Sequence, residues 1–154
     1  GRGFRGAVDQ APGRERINEN KVSSIGYLLV IMEREIGFPA GLIDPGEPVE
    51  DAACREFKEE TGLDLNVTYI SPSSLYSSAG CTNETVQIVF GDASGEVSYE
   101  GNEGSEDIEV ILADYQAVSD YVEMNIPIGA KAWPILFMLK QMWEEEQNIC
   151  GFQL

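Results

Sequence analysis

Histidine is absent from the chain, and cysteine is scarce: Cys54, Cys81 and Cys150 stand far apart with no CxxC pair. Zinc sites of the Cys/His type and His-based nucleophilic triads are therefore excluded. An odd, widely spaced set of thiols points to a reducing cytoplasmic setting rather than a disulfide framework. In that setting the sequons Asn66-Val67-Thr68 and Asn83-Glu84-Thr85 are accidental. No apolar run approaches the roughly 18 residues a membrane span requires, and the first residues do not read as a signal peptide, so no membrane partner is expected. Cations are few as well. Ten Lys and Arg face 27 Asp and Glu, a net charge of −17, and Arg2, Arg5, Arg14 and Arg16 all lie in the first 16 residues. The remaining body is more acidic still, which argues against a groove that tracks the phosphates of a nucleic acid. An anionic ligand would need its repulsion screened, and divalent cations are the natural candidates.

What is present is an ordinary globular composition, 154 residues and 43% hydrophobic. That length suits one domain able to bury a core without metal or disulfide staples. Residues 1–24 are rich in Gly, Arg and Asn without sustained period, and read as an arm or loop ahead of a domain at 25–154. Ile25–Ile31 is a short apolar run suited to a buried strand. Pro48 to Thr61 reads as a helix, with Pro48 at the first helical position, Gly62 as its stop, and Val49, Ala53 and Phe57 as a stripe. Leu65–Ile70, Thr85–Phe90 and Ile108–Leu112 read as strands, and Gly91–Gly104 as a polar acidic connection. Ala130–Glu146 reads as a helix patterned by Trp133, Leu136, Phe137, Lys140 and Trp143, with Pro134 in its first turn. Strands and helices interleave, which gives an α/β class. One stretch resists. Met32-Glu33-Arg34-Glu35 contains none of the usual turn formers. Either one bent strand runs through it, or the row joins segments separated in the natural chain.

The chemistry concentrates between Gly41 and Leu63. On a helix Glu56 and Glu60 stand one turn apart and Glu59 is three on from Glu56, so three carboxylates crowd one side. Like charges so spaced repel by a few tenths of a kcal/mol per pair unless a cation sits among them. Carboxylate oxygens with water-filled positions suit Mg2+ or Mn2+, metals that bridge phosphate oxygens. Taken alone, the same pattern also describes a solvated acidic face.

The full row reads Gly-x5-Glu-x7-Arg-Glu-U-x-Glu-Glu-x-Gly-U, with Gly41, Glu47, Arg55, Glu56, Glu59, Glu60 and Gly62 at the fixed positions and U a bulky apolar residue. It resembles the signature of the Nudix hydrolases, with Phe57 where an aliphatic residue is commoner. The resemblance implies a Nudix fold, a mixed β-sheet sandwiched between helices (α/β/α). It implies Glu56 and Glu60 as metal ligands, Glu59 close by as ligand or supporting group, and an ion pair of Glu47 with Arg55 bracing the loop against the helix. Gly41 and Gly62 would serve backbone geometry.

Phe38-Pro39-Ala40-Gly41-Leu42-Ile43-Asp44 resembles the ADP-ribose and ADP-sugar pyrophosphatase branch, in which the alanine carbonyl, here Ala40, is a metal ligand. Ser78-Ala79-Gly80-Cys81-Thr82-Asn83-Glu84 is similar to that branch's Ser-Pro-Gly-x-x-x-Glu segment, which implies Gly80 and Glu84 at the substrate. Ala79 replaces the proline usual there, and the branch's Gln-x-Arg segment is absent. Before the strand Ile108-Glu109-Val110, Glu103 matches the catalytic base if one residue is inserted, and Glu106 a further metal ligand. An acidic surface loop would read the same way. The implied reaction is attack of water on phosphorus of a small nucleotide, Mg2+-dependent with Mn2+ as substitute, releasing AMP and a sugar phosphate. Hydrolysis of dinucleotides such as NADH, FAD or diadenosine polyphosphates is the alternative within the class, and a non-catalytic binding module the alternative outside it. The resemblance also implies a homodimer.

Overall fold

The computed structural model describes residues 14–15, 27–31, 35–98 and 108–151. The chain divides into two compact units; within the described residues one comprises 14–15, 27–31, 35–38 and 108–151, the other 39–98.

The first unit holds β1 (Arg14–Glu15), β2 (Tyr27–Ile31), β3 (Ile36–Gly37) and β8 (Glu109–Ala113), with helices α2 (Tyr115–Glu123) and α3 (Ala132–Gly151). Its strands form one antiparallel sheet in the order β1-β8-β2-β3. Leu29 stands opposite Ile111, and Ile31 opposite Ile36. The pairing of β2 with β3 rules out a single bent strand through Met32–Glu35; residues 32–34 themselves lie outside the described residues. A parallel bridge joins Ile36 to Ile128, with Ile36 N–H donating to Pro127 O at 3.1 Å. Of the expected N-terminal arm, Arg14–Glu15 form β1 and the rest lies outside the described residues.

The core of this unit is Ile36, Ile111, Ala113, Ala117, Val118, Tyr121 and Leu136, with Phe38 and Leu139 packed against it. Helix α2 was not anticipated. Its start is set by Asp114, whose carboxylate accepts the Ala117 N–H at 2.9 Å, an N-cap that satisfies an otherwise unpaired amide. Helix α3 packs Leu136 inward, ion-pairs Lys140 with Glu123, and stacks Trp143 on Tyr115 at 4.7 Å. Pro134 does sit in its first turn. Trp133 and Phe137, which belong to the expected helical pattern, face outward instead and stack on each other at 5.3 Å.

The second unit holds α1 (Val49–Thr61), β4 (Asp64–Ile70), β5 (Leu75–Tyr76), β6 (Thr85–Val86) and β7 (Val89–Ser94). Helix α1 begins one residue later than expected. Pro48 is extended (φ −62°, ψ 144°), and its carbonyl accepts the Ala52 N–H at 3.0 Å. Glu50 and Asp51 in the first turn and Lys58 in the last complement the helix dipole. Gly62 closes it in the left-handed region at φ 75°, its N–H on Lys58 O at 2.8 Å. Strand β4 pairs antiparallel with β7, with a bulge between Val67 and Tyr69. Residues 85–90 are two strands, not one. The Ile88 N–H turns to Ser71 Oγ at 3.0 Å, so the chain leaves its partner β5 and joins β4. Strand β7 then continues through Gly91–Ser94, which the sequence reads as connection. Gly91 permits this, because a Cβ there would lie 2.5 Å from Asn66 O across the ladder.

Helices and antiparallel sheets together confirm the α/β class. Among the described residues no helix is long and apolar enough to cross a membrane.

Candidate active site

The acidic helix α1 does not bury an apolar stripe alone. Val49, Ala53, Glu56 and Phe57 are half-buried, while Ala52 and Glu60 are buried; Glu60 is 6% exposed. A carboxylate so placed must be hydrogen-bonded or neutralised. The loop 39–47 meets that demand with backbone groups. Ala40 N–H donates to Glu60 Oε2 at 3.2 Å, and Leu42 N–H donates to Glu56 Oε1 at 3.1 Å. Two carboxylates one helical turn apart thus hold two amides of one loop.

Gly41 lies between those amides. A Cβ there would fall 1.9 Å from Glu56 Cδ, so the loop approaches α1 in a way only glycine permits.

Arg55 ties the same loop from the other side. Its Nε and Nη2 donate to the two oxygens of Glu47 at 3.0 and 2.9 Å, a bidentate pair, and Nη2 also donates to Leu42 O at 3.0 Å. Its Nη1 reaches Glu56 at 2.9 Å and Glu59 at 3.5 Å. The ion pair expected between Glu47 and Arg55 is present. Arg55, and secondarily the Asp44 N–H, hold the Glu47 carboxyl at a pKa of about 2, and the pairing raises that of the guanidinium. The cluster therefore carries its own cation, and the mutual repulsion read from the sequence is partly met within the chain.

The structure gathers Ala40, Glu47, Arg55, Glu56, Glu59 and Glu60 into one network. Glu59 is at its margin, 51% exposed. Gly80 and Glu84 lie apart from it, on the hairpin between β5 and β6, where Glu84 belongs to a separate hydrogen-bond system. There the Ser77 hydroxyl donates to Glu84 Oε2 at 2.5 Å, Ser77 N–H to Glu84 O at 3.1 Å, and the amides of Cys81 and Thr82 to Ser78 O. Glu103 and Glu106 lie outside the described residues. Leu42 is the participant the sequence does not reveal. Its backbone, amide and carbonyl both, is held by Glu56 and Arg55, and no side-chain pattern reports that. Cys54 offers no competing chemistry: its Sγ rests 3.5 Å from Leu65 O, and burial, with Glu50 and Asp51 nearby, pushes the thiol pKa up.

Among the described residues no three His, Cys, Asp or Glu side chains converge as a metal site. Two carboxylates do meet at loop 40–42. An ion of the Mg2+ type is held by one or two carboxylates and completes its shell with water and substrate phosphate. The side-chain donors present, carboxylate oxygens of Glu56 and Glu60 held on one loop, are of the hard type such an ion takes.

A family model described as the NUDIX domain matches residues 19–130. The chain is similar to the ADP-ribose pyrophosphatase of Saccharomyces cerevisiae, 44% identical over 35% of this chain and 23% of that protein. It is 52% identical to the ADP compounds hydrolase NudE of Escherichia coli, over 27% of this chain and 23% of that protein. It is 41% identical to the ADP-sugar pyrophosphatase of Mus musculus, over 39% of this chain and 29% of that protein. The matched stretch spans less than a third of the length of these relatives.

Proposed function

The chain belongs to the Nudix family, and on that premise we propose that it hydrolyses the diphosphate bond of ADP-ribose or a related nucleoside diphosphate sugar, giving AMP and a sugar phosphate. The observation that carries this reading is the seating of Glu56 and Glu60 on the amides of Ala40 and Leu42. Two carboxylates one helical turn apart, both held on one loop, support a site in which a divalent cation would join them and the Ala40 backbone to a diphosphate. The names of three relatives, an ADP-ribose pyrophosphatase, an ADP compounds hydrolase and an ADP-sugar pyrophosphatase, favour an ADP-bearing substrate.

Glu56, Glu60 and the Ala40 carbonyl would hold Mg2+, or Mn2+ in its place, with Glu106 as a further ligand. The bound ion would neutralise the diphosphate and lower the pKa of water. The chain's own residues supply the rest. Arg55 pins loop 39–47 through Glu47 and Leu42 O, which keeps the Ala40 and Leu42 amides on the carboxylates. Glu59 stands one turn from Arg55 and accepts from it, and a change of partner there would free its carboxylate for the site. Gly80 and Glu84 would meet the substrate from their hairpin, and Glu103 would take the proton of the attacking water. A dianionic substrate approaching a −17 chain is repelled, and a bound divalent cation would offset that repulsion.

A second reading, hydrolysis of dinucleotides such as NADH, FAD or diadenosine polyphosphates, rests on Ala79, where the ADP-ribose branch usually has proline. A panel of ADP-ribose, ADP-sugars and these dinucleotides with Mg2+, read as phosphate released after phosphatase coupling, separates the two. Turnover of ADP-ribose or an ADP-sugar above the dinucleotides supports the first reading; the reverse order supports the second, and no turnover of any supports a binding module instead.

A further inference from the structure

Beyond their last paired residues, Tyr76 and Thr85, strands β5 and β6 are closed by Ser77 and Glu84. The Ser77 N–H donates to Glu84 O at 3.1 Å, and the Ser77 hydroxyl donates to Glu84 Oε2 at 2.5 Å. On the loop side the Glu84 N–H donates to Thr82 Oγ1 at 3.1 Å. Amide, carbonyl and carboxylate of one residue are each held. Ser77 is half-buried, while residues 72–76 and 78–85 around it are exposed. The register of the hairpin does not need the hydroxyl, because the pairs Leu75 with Val86 and Tyr76 with Thr85 and the Ser77 amide already fix it. What the hydroxyl fixes is the carboxylate. A bond of this length to an ionised oxygen is of the stronger, charge-assisted kind. An exposed glutamate otherwise samples many rotamers, and ordering it when a ligand arrives costs free energy.

On the reading that Glu84 meets the substrate, we infer that Ser77 is a positioning residue whose hydroxyl holds the Glu84 carboxylate ready to accept hydrogen bonds from the sugar hydroxyls of that substrate. Charge selects the sugar. A carboxylate repels a diphosphate, so at an anionic nucleotide it is favourable only against neutral donors, and the hydroxyls of a ribose are such donors. Capacity agrees, since an ionised carboxylate offers about four acceptor sites and the Ser77 bond takes one. Ser77 acts through Glu84 rather than on the substrate directly. A serine hydroxyl has a single proton to donate, and here that proton lies on Glu84 Oε2. A carboxylate ordered before binding spares the complex that cost, which makes Ser77 a determinant of affinity for the sugar and not of the chemical step.

Steady-state kinetics of the full chain with Mg2+ and the best substrate of the panel above test this, with far-UV circular dichroism as the check on folding. Ser77→Ala should raise KM on the order of 10-fold, the worth of one such hydrogen bond. Its kcat should change by less than about twofold, as expected where binding alone is lost. Ser77→Thr keeps the hydroxyl and should restore the parental KM. In a Glu84→Ala background, where no carboxylate is left to hold, adding Ser77→Ala should move KM no further. An active parent chain that Ser77→Ala matches in KM overturns the inference and leaves the hydrolase reading standing. So does a loss confined to kcat, one that Ser77→Thr does not restore, or one that recurs in full in the Glu84→Ala background. A parent chain that turns over nothing in the panel overturns the hydrolase reading, and this inference with it.

Discussion

Glu60 is the most buried charged side chain of the candidate site, and its hydrogen bond from the Ala40 amide accounts for its position without any apolar role. Glu60→Gln keeps an oxygen for that amide and loses the charge. The fold should hold, with Tm within about 3 °C of the parent, while turnover falls on the order of 100-fold or more. Turnover and a thermal melt on the same sample check both halves. Glu47 behaves differently. Its carboxyl is depressed to about 2, chiefly by Arg55, so the ionised form is favoured by folding. The stability this confers is complete above the unfolded value near 4.5 and is lost as pH falls through about 2. Denaturant melts between pH 5 and 2 should therefore steepen in their loss of stability for the parent chain and flatten in Glu47→Gln. Gly41→Ala tests the approach of loop to helix. Its Cβ would overlap the Glu56 carboxylate, so the loop must lift, and activity should fall more than Tm does.

At the scale of elements, Gly62 is where α1 ends and where the chain segment at Ser98 crosses it. Its φ is 75°, and a Cβ would meet Ser98 N at 2.4 Å. Gly62→Ala should cost roughly 2 kcal/mol, or about 4–8 °C of Tm, whereas Gly80→Ala, in open space, should leave Tm unchanged. Helix α1 was legible in the sequence because both its ends and its chemistry are written in side chains: Pro48, the spaced glutamates and Gly62. The hairpin β5–β6 and the split of 85–90 were not, because an exposed two-residue strand carries no period and Ser71 captures the Ile88 amide through a contact 17 residues distant. Helix α2 offered one readable signal, Asp114 as N-cap, in a stretch of mixed polarity. The outward turn of Trp133 and Phe137 was hidden for a related reason, since the periodicity of α3 is apolar on both sides and does not say which side is covered. The site itself followed the same division. The helix carboxylates were read from spacing, and Arg55 and Glu47 from the family resemblance, while the backbone of Leu42, which Glu56 and Arg55 hold, has no signature of its own.

For the whole molecule the dominant fact is a charge of −17. Divalent cations will screen such a chain generally, so specific binding at Glu56 and Glu60 must be separated from screening. Mg2+ should raise Tm above a sodium chloride control of equal ionic strength, by the equivalent of about 2.7 kcal/mol at a hundredfold excess over its dissociation constant. That excess stabilisation should vanish in the Glu56→Gln/Glu60→Gln variant. The reading as a diphosphatase stands or falls on one titration: AMP release from ADP-ribose against Mg2+ concentration, for the parent chain and Glu60→Gln side by side. The parent should be silent in chelator and rise to saturation with Mg2+, and Glu60→Gln should remain low at every concentration. Near-parental turnover by Glu60→Gln at saturating Mg2+, or parent activity undiminished by chelator, would contradict the assignment.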